Sequence, residues 1–210
     1  MDLNDKSKGY VFFIRHGQTD WNLKKLLQGR DEIPLNEVGI KQADTASLSI
    51  KNACERSGLK IDKVFASPLS RAKVTGEKIS EALGCPFSVD ERLTERDFGE
   101  LSGKPYTFGS PAILHDVESV KGLEHVSDVV LRVSTFIKDN LKIGEKIIVV
   151  SHGSVTRIFA EHQKIAPHVD NFDIVMSNCH MLLYSYDGEE LIMEGYNIAP
   201  ENLDKIMEIK

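Results

Sequence analysis

The sequence is poor in cysteine and has no long apolar run, and both absences narrow the environment in which we expect the protein to work. Three of the 210 residues are cysteines, Cys54, Cys85 and Cys179, and no two of them form a CxxC pair. An odd, sparse set of thiols is typical of a reducing compartment rather than of a disulfide framework. No stretch reaches the roughly 20 apolar residues of a membrane-spanning helix, and residues 1–10 lack the apolar core of a signal peptide. We therefore expect a cytoplasmic protein without a membrane partner.

The chain also lacks an excess of positive charge and the signatures of several phosphate and metal enzymes. Its formal net charge is -6 at pH 7, which argues against generic binding to nucleic acid or to anionic membranes. The nearest match to a P-loop, Gly99 to Lys104, is one residue short and is followed by proline. No cysteine begins a Cys-x5-Arg phosphatase motif, and neither HExxH nor a Cys/His cluster indicates zinc. We expect no metal and no cofactor.

What the chain does contain is a regular alternation of short apolar runs and longer amphipathic segments. At 41% hydrophobic residues, a chain of this length can bury one core, so we predict a single domain over residues 1–210. The apolar runs predict strands, spacings of three and four predict helices, and Asp187-Gly188 predicts a hairpin turn. The predicted strands are 10–14, 63–66, 147–150, 181–186 and 190–196, and the predicted helices are 37–56, 70–83, 126–141 and 155–164. Alternation of this kind predicts an α/β layered domain with a largely parallel sheet.

Residues 102–123 interrupt this pattern. They have weak periodicity and combine three glycines and two prolines with aromatic residues. Such a segment is typical of an irregular loop, and substrate selectivity is often determined by loops of this kind. We predict that it forms a lid or insert over the site.

Basic and imidazole side chains follow three of the predicted strands. Arg15 and His16 come directly after the first strand, Arg71 lies one helical turn after the second, and His152 follows the strand at 147–150. Taken singly, His152 is as easily a polar residue at a strand end, and Arg71 a solvated helix residue. Ligands of open α/β sheets bind beyond the carboxyl ends of the strands, so the sequence predicts that the four side chains converge at one edge.

Such a set of side chains is suited to phosphoryl transfer. Guanidinium groups such as those of Arg15 and Arg71 bind phosphoryl oxygens through charge-assisted hydrogen bonds. A neutral His16 can attack phosphorus and form a phosphohistidine if its other ring nitrogen bonds a backbone carbonyl. His152, if protonated, would add positive charge against the phosphoryl oxygens, and Gly17 would let the backbone and the phosphoryl group approach closely.

A carboxylic acid is also needed to protonate the leaving oxygen, and the residues alone leave its identity open. Four acidic side chains lie between positions 91 and 100: Glu91, Glu95, Asp97 and Glu100. Such a cluster is most often a solvated charged loop. A carboxyl group that donates a proton near neutral pH should have a pKa raised by partial desolvation.

Four segments together resemble the histidine phosphatase superfamily, also called phosphoglycerate mutase-like. Residues 15–22 (RHGQTDWN) resemble its RHG signature, residues 67–72 (SPLSRA) its second block, residues 91–100 (ERLTERDFGE) its acidic block and residues 151–153 (SHG) its last. They occur in the family's order and span most of the chain. The resemblance implies a three-layer α/β/α fold with a mostly parallel mixed sheet and no required metal.

The resemblance also implies roles for individual residues. It makes His16 the phosphorylated nucleophile and Glu95 the proton donor, both acting with Arg15, Arg71 and His152. The implied phosphate- and substrate-binding residues are Arg15, Asn22, Gln28, Gly29, Arg71, His152 and Gly153, of which Gln28 and Gly29 would line the pocket mouth.

The short interval between Glu95 and His152 favours a phosphatase over a phosphoglycerate mutase. Mutases must hold a second anionic group, and the resembling mutases carry a long basic insertion here. This chain has no arginine between Arg96 and Arg132. We therefore expect hydrolysis of a small-molecule phosphate monoester through a phosphohistidine. Phosphoglycerate mutase is the second hypothesis, and a non-catalytic phospho-ligand binding module is the third.

The physiological substrate and the assembly are left open by the sequence, with a homodimer as one alternative. Candidate substrate contacts outside the motifs are Arg30, Lys104, Tyr106 and His115, each of which is also readily explained as a solvated or structural residue.

Overall fold

The computed structural model describes residues 2–107, 111–167, 169 and 176–207, and its strands form one mixed sheet. The strands of these residues are β1 Gly9–Arg15, β2 Lys63–Ala66, β3 Phe87–Val89, β4 Lys146–Ser151, β5 Lys164–Ile165, β6 Met181–Tyr186 and β7 Leu191–Ile198. Their order is β3-β2-β4-β1-β6-β7-β5. The first four in this order are parallel to one another, β6 is antiparallel to both β1 and β7, and β5 is parallel to β7.

Helices cover both faces of the sheet. The α-helices of the described residues are α1 Asp20–Leu23, α2 Glu37–Ser57, α3 Ser70–Leu83, α4 Val126–Asn140, α5 Gly153–Glu161 and α6 Leu203–Met207. Because side chains alternate along a strand, Val11 and Phe13 of β1 belong to the core shared with α4 and α5. Tyr10, Phe12 and Ile14 belong to the core shared with α2, α3 and α6. The predicted three-layer α/β/α fold with a mostly parallel sheet is confirmed.

Local signals in the sequence account for where the helices begin and end. The Asn36 side chain accepts a hydrogen bond from Gly39 N at 2.8 Å and caps the start of α2. Gly58 and Gly84 end α2 and α3 in the left-handed conformation, with φ of 67° and 63°. Strand 63–66 and helix 70–83 have the predicted bounds.

The predicted helix 155–164 was wrong at both ends. Helix α5 begins at Gly153, directly after the extended His152, and ends at Glu161. Lys164 and Ile165 instead form β5, because they pair with Ile192 and Met193 of β7. That pairing joins residues distant in the sequence, so local periodicity could not indicate it. The three-residue strand β3 was also missed; two of its residues are partly buried and Val89 is exposed.

The sheet topology brings the site residues to one edge. The carboxyl ends of β1, β2 and β4 lie together, because Ile14 of β1 and Ala66 of β2 both pair with Val150 of β4. Strand β6 enters at the same edge, since Met181 lies opposite Ile14. The residues that precede β6 therefore join those that follow β1.

The segment after β1 packs closely against the start of α2, and two glycines permit this contact. A Cβ on Gly39 would lie 2.0 Å from the carbonyl oxygen of Gln18, and a Cβ on Gly17 would lie 2.5 Å from the carbonyl oxygen of Gly39. Gly17 is thus required by packing against α2, and that it also makes room for the phosphoryl group stays a prediction.

We predict that Gly39→Ala destabilises the fold strongly. The new methyl group would collide with backbone that has no rotamer to change, so the free energy of unfolding should fall by about 3 kcal/mol in urea denaturation. Gly84→Ala is the matched control, because nothing lies within 4 Å of its Cβ and only the left-handed backbone costs about 1 kcal/mol. Equal losses in the two variants would contradict the steric explanation.

Within the described ranges, no helix combines the length and the apolar character needed to cross a bilayer.

Candidate active site

His16 is buried at the carboxyl end of β1, and one of its ring nitrogens is fixed by the backbone. Nδ1 lies 2.7 Å from the carbonyl oxygen of Gly17, so we assign the proton to Nδ1, where it donates to that oxygen. This tautomer leaves the lone pair of Nε2 available for attack on phosphorus. The expected carbonyl partner is therefore present, supplied by the next residue in the chain.

The electrostatic surroundings keep His16 neutral. Burial lowers the pKa of its imidazole well below the ordinary value of 6.5, and the nearby guanidinium groups of Arg71 and Arg15 lower it further. A neutral imidazole is the nucleophilic form, so His16 is in its reactive state over most of the pH range.

His152 lies beside His16, with ring centroids 5.1 Å apart in an edge-on arrangement. Its Nε2 is 2.8 Å from the hydroxyl oxygen of the buried Ser67, whereas its Nδ1 has no partner within the described part of the chain. Burial lowers the pKa of His152 well below its usual value, and Arg71 and His16 add to the effect. The free protein thus holds a neutral His152, and the protonated form considered from the sequence is disfavoured. If Ser67 donates to Nε2, Nδ1 carries the proton and remains able to donate to a phosphoryl oxygen.

Arg71 is buried and Arg15 is partly buried, and each has part of its donor capacity unused. Arg15 donates through one Nη to the carbonyl oxygen of Met176 at 2.6 Å, and Arg71 donates to the carbonyl oxygens of Gly29 and Asp31 at 2.8 Å each. Neither Nε has a partner among the described residues. Buried donors without partners are rare in folded proteins, and here they are cationic. The two guanidinium groups are therefore suited to binding an anion. Two of the Arg71 donors that were predicted to bind phosphate instead bind the turn at 29–31.

Glu95 is buried against the start of α5. Its Oε1 accepts hydrogen bonds from the backbone N–H groups of Arg96 at 2.9 Å and Val155 at 3.2 Å, while Oε2 has only a long contact of 3.5 Å with Ser154 N. Burial raises the pKa of Glu95 above its ordinary value, and these N–H donors and Arg71 oppose the increase only in part. The weakly bonded Oε2 is the natural carrier of a transferable proton.

The next residue, Arg96, fixes the lid. Its fully buried guanidinium donates to the carbonyl oxygens of Ala112, His115 and Glu124 at 3.1, 3.0 and 2.8 Å, and to Oδ1 of Asp116 at 2.9 Å. One side chain thus joins the acidic segment to the chain that spans the predicted lid. The described lid residues contain short turns and isolated bridges, as expected, while residues 108–110 of the predicted lid lie outside the described residues.

We predict that Arg96→Met lowers the free energy of unfolding by about 3 kcal/mol, because it leaves buried carbonyl groups without donors. Arg56→Met is the control, since its ion pair with Asp204 lies at the surface, where such pairs contribute little to stability. Urea denaturation of both variants gives the comparison. Similar small losses would show that the lid does not depend on Arg96.

An open cleft of about 190 Å³ leads to His16 and Glu95. In the same measure one water molecule needs roughly 10–15 Å³, so the cleft has room for more than a phosphoryl group. Four of the predicted binding residues line the cleft: Arg15, Asn22, Gln28 and Gly153.

Asn22 and Gln28 are oriented by a common partner, Thr19. Oδ1 of Asn22 accepts from the backbone N–H of Thr19 at 3.0 Å. The Thr19 hydroxyl lies 3.1 Å from the same oxygen and 3.0 Å from Oε1 of Gln28, and its single proton can be donated to either. Their side-chain NH₂ groups therefore point away from Thr19. Gly29 does not line the cleft but has φ of 50° and offers its carbonyl oxygen to Arg71. A Cβ on Gly153 would lie 3.4 Å from Nε of Arg15, so this glycine packs beside the guanidinium.

The structure separates the further candidate contacts into two groups. Tyr106 and His115 line the cleft, whereas Arg30 and Lys104 do not. Arg30 forms an ion pair with Glu124 at 3.0 Å, and the Lys104 side chain is exposed.

Sequence reasoning missed several residues that position the site. Asn178 donates to the backbone oxygen of His16 at 2.8 Å, and Arg157 and Tyr196 line the cleft. Asn178 precedes β6 by only three positions, so it could have been found had the hairpin been placed beside β1. Arg157 and Tyr196 carried no recognisable signal, because they lie on a helix and a strand with ordinary spacing.

The chain matches the family model described as histidine phosphatase superfamily (branch 1) over residues 11–199. Together with the fold and the site, this match defines the class of protein, and the chain belongs to the histidine phosphatase superfamily. The resemblance found in the sequence motifs is confirmed. Relatives of this class include both phosphatases and mutases.

Relatives of both kinds are similar to this chain. A 2,3-bisphosphoglycerate-dependent phosphoglycerate mutase of Methylobacterium sp. (strain 4-46) is 36% identical over 70% of this chain and 76% of its own length. The uncharacterized phosphatase PhoE of Bacillus subtilis (strain 168) is 31% identical over 69% of this chain and 72% of its own. A mutase of Chelativorans sp. (strain BNC1) is 45% identical, but the match covers only 46% of its length.

Among solved structures, a mycobacterial glucosyl-3-phosphoglycerate phosphatase has a similar fold. It superposes with a TM-score of 0.70 and 23% sequence identity, covering 88% of this chain and 96% of the other. At this identity the likeness concerns the fold alone.

Proposed function

We propose that the protein hydrolyses a phosphate monoester of a small molecule through a phosphohistidine on His16. The observation that carries this proposal is the state of His16: a buried, neutral imidazole with Nδ1 bound to a carbonyl oxygen and Nε2 free, beside two arginines with unused donors. Such a group is an activated nucleophile in a site built for an anion.

In the first step, Nε2 of His16 attacks phosphorus and a P–N bond forms while the P–O bond to the leaving group breaks. Glu95 gives its proton to the leaving oxygen, and the alcohol departs. Arg15, Arg71 and Nδ1 of His152 stabilise the charge that develops on the phosphoryl oxygens.

In the second step, a water molecule attacks phosphorus and transfers a proton to the Glu95 carboxylate. The P–N bond breaks, its electron pair returns to Nε2, and inorganic phosphate leaves. His16 and the acid form of Glu95 are both restored, so no metal enters either step.

Phosphoglycerate mutase is the second candidate, and the 36% identity to a mutase favours it. A mutase must hold a carboxylate in addition to the phosphoryl group. Outside the phosphoryl end of the described cleft lining, the cation available is Arg157, and its Nε is bound to Oε1 of Glu161 at 2.9 Å. That ion pair favours hydrolysis over the mutase reaction. A phospho-ligand binding module has little support, because both nucleophile and acid are present.

The test compares two assays on the same preparation. We expect hydrolysis of p-nitrophenyl phosphate with EDTA present, and negligible interconversion of 3- and 2-phosphoglycerate with 2,3-bisphosphoglycerate added. Efficient interconversion would replace the phosphatase by the mutase. Tight binding of phosphate without turnover in either assay would favour the binding module.

A further inference from the structure

We infer that the leaving group accepted by this site is a neutral, apolar alcohol or phenol, so that the preferred substrates are alkyl or aryl monophosphates. This inference rests on the proposed hydrolysis at His16 and concerns the part of the cleft beyond the scissile bond. Nothing in the phosphoryl-binding groups themselves requires it, since these would bind any phosphate monoester.

The walls of the cleft carry the inference. Six of the side chains that line the cleft are apolar: Leu26, Leu27, Phe98, Ile113, Leu114 and Met176. Leu27, Phe98 and Met176 are buried, while the other three are partly exposed toward the cleft. Apolar walls favour apolar ligands, because both surfaces leave water when they meet.

Hydrogen bonds between distant segments of the chain fix the backbone that carries these side chains. Leu27 N donates to the carbonyl oxygen of Lys104 at 3.0 Å, which fixes one wall to the lid. Ile113 and Leu114 lie between two carbonyl groups, of Ala112 and His115, that Arg96 binds. The Met176 carbonyl oxygen is bound by Arg15. The apolar walls are therefore fixed relative to the phosphoryl end.

Polar recognition of the leaving group would fall to a few side chains of the same cleft, among them His115, Arg157 and two tyrosines. The charge of Arg157 is opposed by Glu161, and its guanidinium also contacts the hydroxyl of Tyr196 at 3.3 Å. A substrate carboxylate would compete with a carboxylate already bound, and its own desolvation would be unfavourable. Tyr106 and Tyr196 add aromatic faces with polar tips, which suits an apolar group with few hydrogen bonds.

The test is a series of straight-chain alkyl phosphates whose leaving alcohols have similar acidity. We expect kcat/KM to rise about threefold per added methylene, or roughly 100-fold from ethyl to hexyl phosphate, as each methylene is buried. Glycerol 3-phosphate and 3-phosphoglycerate should be poorer substrates than butyl phosphate. A flat series, or a preference for either polar ester, would overturn the inference while leaving phosphatase activity intact.

Variants connect the chain-length dependence to the cleft. Ile113→Asn and Leu26→Asn should each flatten the series, and circular dichroism with urea denaturation reports whether each variant is folded. Leu131→Asn is the matched control, because Leu131 lies on α4 with 66% of its surface exposed and does not line the cleft. If both cleft variants keep the wild-type slope, the walls do not select the substrate.

Binding supplies a readout that does not depend on turnover. Hexylphosphonate and ethylphosphonate cannot be hydrolysed, and calorimetry should give the former a dissociation constant roughly 100-fold lower. Loss of all hydrolysis, p-nitrophenyl phosphate included, would refute the proposed function, whereas equal affinities for the two phosphonates would refute the apolar leaving-group site.

Discussion

The His16→Ala variant is expected to lose at least about 10,000-fold in kcat/KM for p-nitrophenyl phosphate, because no other group can form the covalent intermediate. Acid-quenched samples of the wild-type protein should contain phosphohistidine, and those of the variant should contain none. Steady-state kinetics and phosphate labelling give the two measurements.

A second histidine provides the control for this result. His162 is exposed and follows the last residue of α5, so His162→Ala should keep turnover within about twofold of the wild type. The nucleophile would have to be sought elsewhere if His16→Ala still formed a phosphoenzyme. Binding of inorganic phosphate to His16→Ala should persist, because the arginines remain.

We expect the loss of kcat in the Glu95→Gln variant to depend on the leaving group of the substrate. Hydrolysis of an alkyl phosphate needs a proton on the leaving oxygen, so its kcat should fall about 1,000-fold, and that of p-nitrophenyl phosphate by less than about tenfold. Glutamine keeps the size and the acceptor oxygen that binds the N–H groups of Arg96 and Val155. Equal losses on both substrates would contradict the role of Glu95 as acid.

The pH profile of the same variant provides an independent check. Because the pKa of Glu95 is raised, its acid form persists above the range of ordinary carboxyl groups and is lost as the pH rises through the folded value. The wild-type kcat/KM for alkyl phosphates should therefore fall on the alkaline side, and Glu95→Gln should lack this limb. His16, with its lowered pKa, is protonated only well below pH 6.5, so it should not limit the rate near neutrality. If kcat/KM of Glu95→Gln still fell at alkaline pH as in the wild type, that fall would be due to the titration of another group.

Much of this fold could be predicted because its signals are local. Asn36, Gly58 and Gly84 mark the ends of helices within one turn of where they act. The strands buried on both faces are continuous apolar runs, so β1 and β4 were evident from the sequence. Their carboxyl ends then supplied the basic and imidazole residues of the site.

The rest depends on contacts between distant parts of the chain. Strand β5 exists because of its pairing with β7, and the bonds of Arg96 reach carbonyl groups 16 to 28 positions away. Asn178 reaches the backbone of His16 across 162 positions. Local periodicity does not indicate such contacts, so the basic and imidazole residues at the strand ends could be predicted from the sequence but the apolar walls of the cleft could not.

The way in which Arg96 binds the lid has a consequence for how this site can diverge. Three of its four acceptors are main-chain oxygens, which every residue type supplies equally. Side chains at 113 and 114 can therefore be exchanged without loosening the loop that presents them. New substrates could be acquired in this way while the chemistry at phosphorus is inherited unchanged.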